Sequence, residues 1–106
     1  MDRGHREYLL VDGYNIINAW PELVEEANEV DLASARDKLI DIMADYSAFT
    51  GICVILVFDA HQANKNTRTS YIINGVEVIY TKSGETADHY IEKIADALGK
   101  QEKIRV

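Results

Sequence analysis

The chain has 106 residues and a mass of 12.0 kDa, the size of one domain with one core. Its hydrophobic fraction of 47%, with six glycines and one proline, excludes a disordered or collagen-like chain. A single cysteine, Cys53, excludes a disulfide framework and a cysteine-based zinc site. The net charge of −7 argues against non-specific binding to nucleic acid through a basic face.

No apolar run in the sequence approaches the roughly 20 residues of a membrane span. The apolar run near the N-terminus, Tyr8–Val11, is shorter than the about 7–15 residues of a secretory signal. We therefore expect a cytoplasmic protein with no membrane partner.

The first predicted element is a short strand, Tyr8–Val11, followed by a turn. The acidic stretch at 22–31 is interpreted as the solvated face of a helix. Apolar residues then recur with helical spacing over 31–49 and predict a helix with one buried stripe. Asp31 is its predicted N-cap and Gly51 its predicted stop.

The second half of the chain continues the alternation of strands and helices. Seven apolar residues, Ile52–Phe58, predict a central strand that is buried on both faces. After a loop, the more alternating Val76–Tyr80 predicts a strand nearer an edge of the sheet. A helical stripe follows over 87–98, with Ser83 as its predicted cap, and 103–106 begins a fourth strand. This order predicts an α/β fold with a mostly parallel sheet.

Acidic side chains follow each of the first three predicted strands, where parallel sheets bind their ligands. They are Asp12, Asp59, Glu85 and Asp88. We expect Glu85 and Asp88, three residues apart at the opening of a helix, to share one face. Carboxylates that converge repel one another, and oxygen-only ligands select Mg²⁺ or Mn²⁺. Each acid also has a structural interpretation, as a turn former or as a complement to the helix dipole.

Polar and aromatic residues near these acids are candidates for substrate binding. Asn15 either orients an acid or phosphate or caps the next turn, and Tyr14 either stacks on a base or belongs to the core. Lys65, Arg68 and Lys82 either steer a phosphate backbone or are exposed loop charges.

Three segments in this order resemble the YacP-like NYN-domain proteins of the wider PIN-like nuclease group. They are Leu10–Ile17 (LVDGYNII), Val57–His61 (VFDAH) and Tyr80–Asp88 (YTKSGETAD). The resemblance runs from about Tyr8 to Val106, and it implies a PIN-like three-layer α/β sandwich in which helices flank a mostly parallel central sheet.

The resemblance also implies a function, a metal-dependent endoribonuclease that hydrolyses RNA phosphodiester bonds, with mRNA on ribosomes as a substrate. Its implied cofactor is Mg²⁺ or Mn²⁺, and its implied partners are RNA and the ribosome. The implied catalytic residues are Asp12, Asp59, Glu85 and Asp88, with Asp12, Asp88 and Asp59 as metal ligands. The resemblance also implies Asn15 as the polar partner of Asp12, and our hypothesis adds Tyr14, Lys65, Arg68 and Lys82 as further substrate-binding residues.

The predicted domain is a single NYN/PIN-like unit over 1–106. In the family a further strand runs into a Thr-Ser-Asp-like turn that supplies another acid, whereas Lys103–Val106 stops before such a turn. We therefore expect the family's C-terminal strand end and helix to be missing, weak activity or none, and an exposed edge that can form a homodimer.

Two other functions stay open at the level of the sequence. A receiver-type signalling domain also places acids after buried strands, with Asp59 as phosphoacceptor and Asp12, Thr81 and Lys82 around it. An RNA- or ribosome-binding module with an incomplete site is the other alternative.

Overall fold

A computed structural model describes residues 7–59, 67–98 and 103–105 of the chain. Over these residues it contains the strands β1 (Glu7–Asp12), β2 (Cys53–Phe58), β3 (Thr69–Ile73), β4 (Val76–Tyr80) and β5 (Lys103–Arg105). It also contains the helices α1 (Gly13–Ala19), α2 (Pro21–Glu29), α3 (Leu32–Thr50) and α4 (Ala87–Leu98). The strands form one sheet in the order β3-β4-β2-β1-β5, in which only the β3–β4 pair is antiparallel. This confirms the predicted α/β class and its mostly parallel sheet.

Two apolar layers bury the two faces of the sheet. Val54, Leu56 and Phe58 of β2 belong to the core that α1, α2 and α3 cover. Ile55 and Val57 point to the opposite face, into the smaller core that α4 closes. Alternate residues of one strand thus enter different cores, which explains the unbroken apolar run of β2 and confirms its central place. No described helix has the length and apolar character needed to span a membrane.

Short polar side chains cap the starts of α3 and α4, and a glycine ends α3. Asp31 accepts a hydrogen bond from the Ser34 backbone N–H at 2.7 Å, and Gly51 ends α3 in the left-handed region at φ 77°, as predicted. The predicted cap of α4 at Ser83 is wrong. The hydroxyl of Thr86 accepts from the backbone N–H of His89 at 3.2 Å, because α4 begins at Ala87.

Two elements depart from the prediction. The chain enters α1 directly at the end of β1, where a turn was expected, and this helix of seven residues is too short to show a periodic stripe. β3 occupies part of the expected loop and covers the outer edge of β4. Val76–Tyr80 is therefore second from the edge, nearer to it than the central β2, as predicted, while the edge strand itself was not expected. Four of the five residues of β3 are exposed, which removes the alternation that would have revealed it.

A close contact between Gly13 and Phe58 allows α1 to start immediately after β1. A Cβ atom at position 13 would overlap the Phe58 ring, whose Cδ1 it would meet at 2.6 Å. Phe58 is fully buried at the end of β2, so the ring has no room to withdraw. The glycine therefore fixes the position of α1 and of the residue before it, Asp12.

We predict that Gly13→Ala lowers the free energy of unfolding by about 1–3 kcal/mol, the usual cost of overpacking a filled core. Urea denaturation of the wild type and the variant measures this change. Combining Gly13→Ala with Phe58→Leu removes ring atoms from the contact, so the double variant should lose less than the sum of the two single variants. Additive losses would show that the contact does not set this constraint.

Candidate functional site

Asp12 is both the last residue of β1 and the N-cap of α1. Its Oδ1 accepts from the backbone N–H of Asn15 at 3.3 Å, and its Oδ2 accepts from the Asn15 side-chain amide at 3.2 Å. The capping role and the orienting role, which the sequence left as alternatives, therefore occur together in this pair. Asp12 caps a helix, and Asn15 holds the orientation of the Asp12 carboxylate.

The electrostatic surroundings of Asp12 favour its protonated form. Burial raises the pKa of this half-buried carboxyl above its ordinary value; the Asn15 backbone N–H opposes the rise, and the carboxylates of Asp88 and Asp59 add to it. Asp59 directly follows β2, and Asp88 lies in the first turn of α4. Three of the four predicted acids thus come from different elements and interact at the carboxyl ends of the parallel strands.

A cleft of about 390 Å³ opens beside β1 and contains part of this group. Asp12, Asn15 and Asp88 line it together with apolar side chains and Trp20. Trp20 is 36% exposed between α1 and α2. Sequence reasoning missed this residue, because a single aromatic outside a periodic stripe gives no signal of a cleft.

The donor chemistry of Asp12, Asp59 and Asp88 suits a hard divalent cation, since carboxylate oxygens are the ligands that Mg²⁺ and Mn²⁺ prefer. The raised pKa of Asp12 fits as well, because a nearby cation would stabilise a carboxylate that burial first, and then the charges of Asp88 and Asp59, disfavour. Within residues 7–59, 67–98 and 103–105, however, no three His, Cys, Asp or Glu side chains are grouped closely enough to hold an ion. The group therefore fits a metal in its chemistry and is more open than a complete metal site.

Glu85, the fourth predicted acid, lies in a different environment. Its Oε1 and Oε2 accept from Nε and Nη2 of Arg68 at 2.9 and 3.0 Å, a bidentate ion pair. The Lys82 backbone N–H at 3.4 Å and Lys93 Nζ at 3.7 Å complete its surroundings. Arg68 above all, then the Lys82 N–H and Lys93, hold the pKa of this buried carboxyl below its usual value, against the effect of burial. Glu85 precedes α4 and is buried whereas Asp88 is exposed, so the expectation of a shared helix face is wrong.

The predicted substrate-binding residues differ from one another in their contacts and burial. Arg68 is engaged by Glu85 and also lies over the Tyr90 ring at 4.4 Å from its centroid. Lys82 is half-buried and lines a depression of about 440 Å³ at the start of α4. Tyr14 is half-buried, with its ring 5.1 Å from that of Phe58. Lys65 lies outside the described residues.

Comparisons with known proteins give consistent results. The family model described as "YacP-like NYN domain" matches residues 9–106. The Bacillus subtilis protein named "Uncharacterized protein YacP" is 52% identical over 93 residues, which are 87% of this chain and 53% of that protein. Two crystal structures of Bacillus subtilis Rae1 (YacP), one of them a mutant, show 46% and 48% identity with TM-scores of 0.70 and 0.71. They cover 92% and 89% of this chain and 57% and 53% of theirs, so the chain spans about half the length of these relatives.

We predict that Asp12→Asn raises the melting temperature at neutral pH in the presence of a chelator. The folded-state pKa lies above the ordinary 3.8, so ionised Asp12 destabilises the fold, and its contribution to stability falls as pH rises from 3.8 through the raised pKa. Thermal unfolding between pH 3 and 8 measures the effect, with the exposed Asp45→Asn on α3 as matched control. A variant that melts below the wild type at pH 7 would contradict this reasoning.

We predict the opposite sign for Glu85. Glu85→Gln leaves the Arg68 charge without its partner, which should cost about 1–3 kcal/mol in unfolding free energy at pH 7. Because the folded-state pKa of Glu85 is lowered, this stabilisation is complete above the ordinary value of 4.5 and is lost as pH falls through the folded-state pKa. Urea denaturation at pH 7 and pH 3.5 should therefore show a difference that shrinks in acid.

The exposed Glu92→Gln on α4 is the matched control for Glu85→Gln and should unfold like the wild type. An equal loss at both pH values would show that Glu85 contributes packing rather than charge.

Proposed function

We propose that this chain, which belongs to the YacP-like NYN domain family, carries the acidic centre of a metal-dependent endoribonuclease. The family indicates a nuclease-like function related to RNA. The observation that carries the finer proposal is the half-buried Asp12 carboxylate, whose pKa is raised by burial and by the carboxylates of Asp88 and Asp59. A carboxylate whose charge is disfavoured by burial and by neighbouring acids, at the ligand-binding edge of a parallel sheet, is suited to a cation and a phosphate.

In this proposal Asp12, Asp59 and Asp88 would hold Mg²⁺ or Mn²⁺. A bound divalent ion would supply a water of lowered pKa and stabilise the charge that develops on the phosphate oxygens. Asn15 is the positioning residue of this group, because its amide donates to Asp12 Oδ2 and fixes the carboxylate at 3.2 Å. Glu85 is excluded from direct metal binding in this proposal, since Arg68 occupies both of its oxygens.

The proposed substrate is RNA, with mRNA on the ribosome as the specific target and Lys82 among the residues that bind the phosphate backbone. Lys82 is suited to this role because it is the second residue after β4, on the same edge of the sheet as Asp12 and Asp59. The cytoplasm is the proposed location, since ribosomes and mRNA are found there.

An RNA-binding module without cleavage is the second candidate, and one observation favours it. Among the described residues no three acidic, histidine or cysteine side chains are grouped tightly enough for a metal. A receiver-type signalling domain gains no such support, because its Thr81 and Lys82 are adjacent in one segment after β4.

We predict that the chain cleaves a labelled single-stranded RNA in millimolar Mn²⁺ and that a chelator abolishes cleavage. Asp12→Asn and Asp88→Asn should each remove activity, while Asn15→Ala should lower it about 10- to 100-fold, as loss of a ligand-positioning partner does. Gel electrophoresis of the RNA fragments measures the rates.

The control for these variants is Asp45→Asn, which removes one exposed acid of α3 and should cleave at the wild-type rate. Cleavage by Asp12→Asn at the wild-type rate would refute the proposed site. RNA binding by the wild type that persists in both Asp variants, with no cleavage by any of them, would favour the binding module.

A further inference from the structure

Arg36 of α3 is held by phenol groups rather than by an acid. Its Nη1 donates to the Tyr14 hydroxyl at 3.0 Å. The Tyr80 phenol lies near enough to act on the same guanidinium electrostatically, and the charge of Arg36 in turn opposes the rise in the pKa of Tyr80 that burial causes. No carboxylate of the described residues lies within 4.0 Å of it, whereas Lys38, Arg68 and Lys93 all have such partners. Asp31, at the start of the same helix, interacts with the guanidinium only at longer range, so Arg36 is a half-buried cation with no paired carboxylate among the described residues of a chain whose net charge is −7.

The partners of Arg36 are themselves fixed by a row of aromatic rings across the sheet. Tyr14 contacts Phe58 at 5.1 Å, Phe58 stacks on Tyr80 at 5.4 Å, and Tyr80 meets the edge of Tyr71 at 6.2 Å. Arg36 therefore has a defined orientation at low entropic cost, which is the condition under which a guanidinium binds an anion well.

Arg36 lies at the same edge of the sheet as the candidate site. Tyr14 is the second residue after Asp12, and α3 begins at the edge of the sheet where β1 and β2 end, because it runs back to the opposite edge, where β2 starts. A polyanion that approaches Asp12, Asp59 and Asp88 is repelled unless a cation lies beside its path. Arg36 and Lys82 can supply such a charge, while Arg68 is neutralised by Glu85.

We propose that Arg36 is a phosphate-binding residue of this protein, which contacts the backbone of single-stranded RNA next to the acidic group. The inference rests on the proposed function, because it names the residue that receives the substrate there. The guanidinium keeps donors beyond those used by the two phenols, in the planar arrangement that matches a phosphate. Sequence reasoning passed over Arg36 because it lies within the helical pattern of 31–49.

The test is equilibrium binding of a labelled single-stranded RNA in the presence of a chelator, followed by fluorescence anisotropy over a series of salt concentrations. Each phosphate contact contributes about 0.7 to the slope of log K against log salt for a single strand. Arg36→Gln should weaken binding and lower that slope by about 0.7, and Arg36→Lys should keep the slope because it keeps the charge. Thermal unfolding of each variant verifies that it is folded.

Lys38→Gln is the matched control, since it removes one positive charge from the same helix at an exposed residue paired with Glu26. It should bind with the wild-type slope. A wild-type slope for Arg36→Gln, or equal reductions for both variants, would overturn the inference while leaving the proposed nuclease intact. If Arg36→Gln does not fold, Arg36→Met, which keeps the aliphatic stem and removes the charge, takes its place: a slope lowered by about 0.7 supports the contact and a wild-type slope overturns it. Failure of the wild type to bind or cleave RNA would instead overturn the proposed function.

Discussion

The burial of one carboxylate at the end of a central strand is the constraint on which the candidate site depends. Asp12 ends β1, whose neighbour β2 has both faces in a core, so a charge at this place loses part of its hydration. Asn15 compensates with two hydrogen bonds, and it can do so only because α1 starts immediately after the strand. That start in turn requires Gly13 against the Phe58 ring. Packing in the core and the chemistry of the site are therefore linked through two adjacent residues.

The acids of the last motif have opposite environments, and this separates their roles. Glu85 is buried and satisfied by Arg68, so its charge is stabilised and its pKa is lowered. Asp88 is exposed three residues later and raises the pKa of Asp12. One carboxylate thus fastens the segment before α4, and the other faces the cleft beside β1.

The sequence predicted those helices and strands whose residue pattern is set by local capping or by complete burial. The unbroken apolar run of β2 and the capped stripe of α3 were predicted with nearly their observed bounds. β3 was not predicted, because an exposed edge strand lacks the alternation that burial imposes. The rule for parallel sheets predicts that Asp12, Asp59 and Asp88 lie at one edge of the sheet. The charges of Asp88 and Asp59 add to the rise in the pKa of Asp12, but no three such side chains of the described residues are grouped closely enough to hold an ion.

The sequence did not predict which charged residues pair with one another. Arg68 and Glu85 are separated by 17 residues, and only the β3–β4 hairpin between them places the arginine beside the acid. The same hairpin supplies Tyr80, which with Tyr14 holds Arg36. One arginine is therefore neutralised, and the other has no carboxylate within 4.0 Å among the described residues, although nothing in the sequence distinguishes the two. Under the proposed function, binding of a polyanion by this acidic chain would depend on that local distribution of charge rather than on net charge.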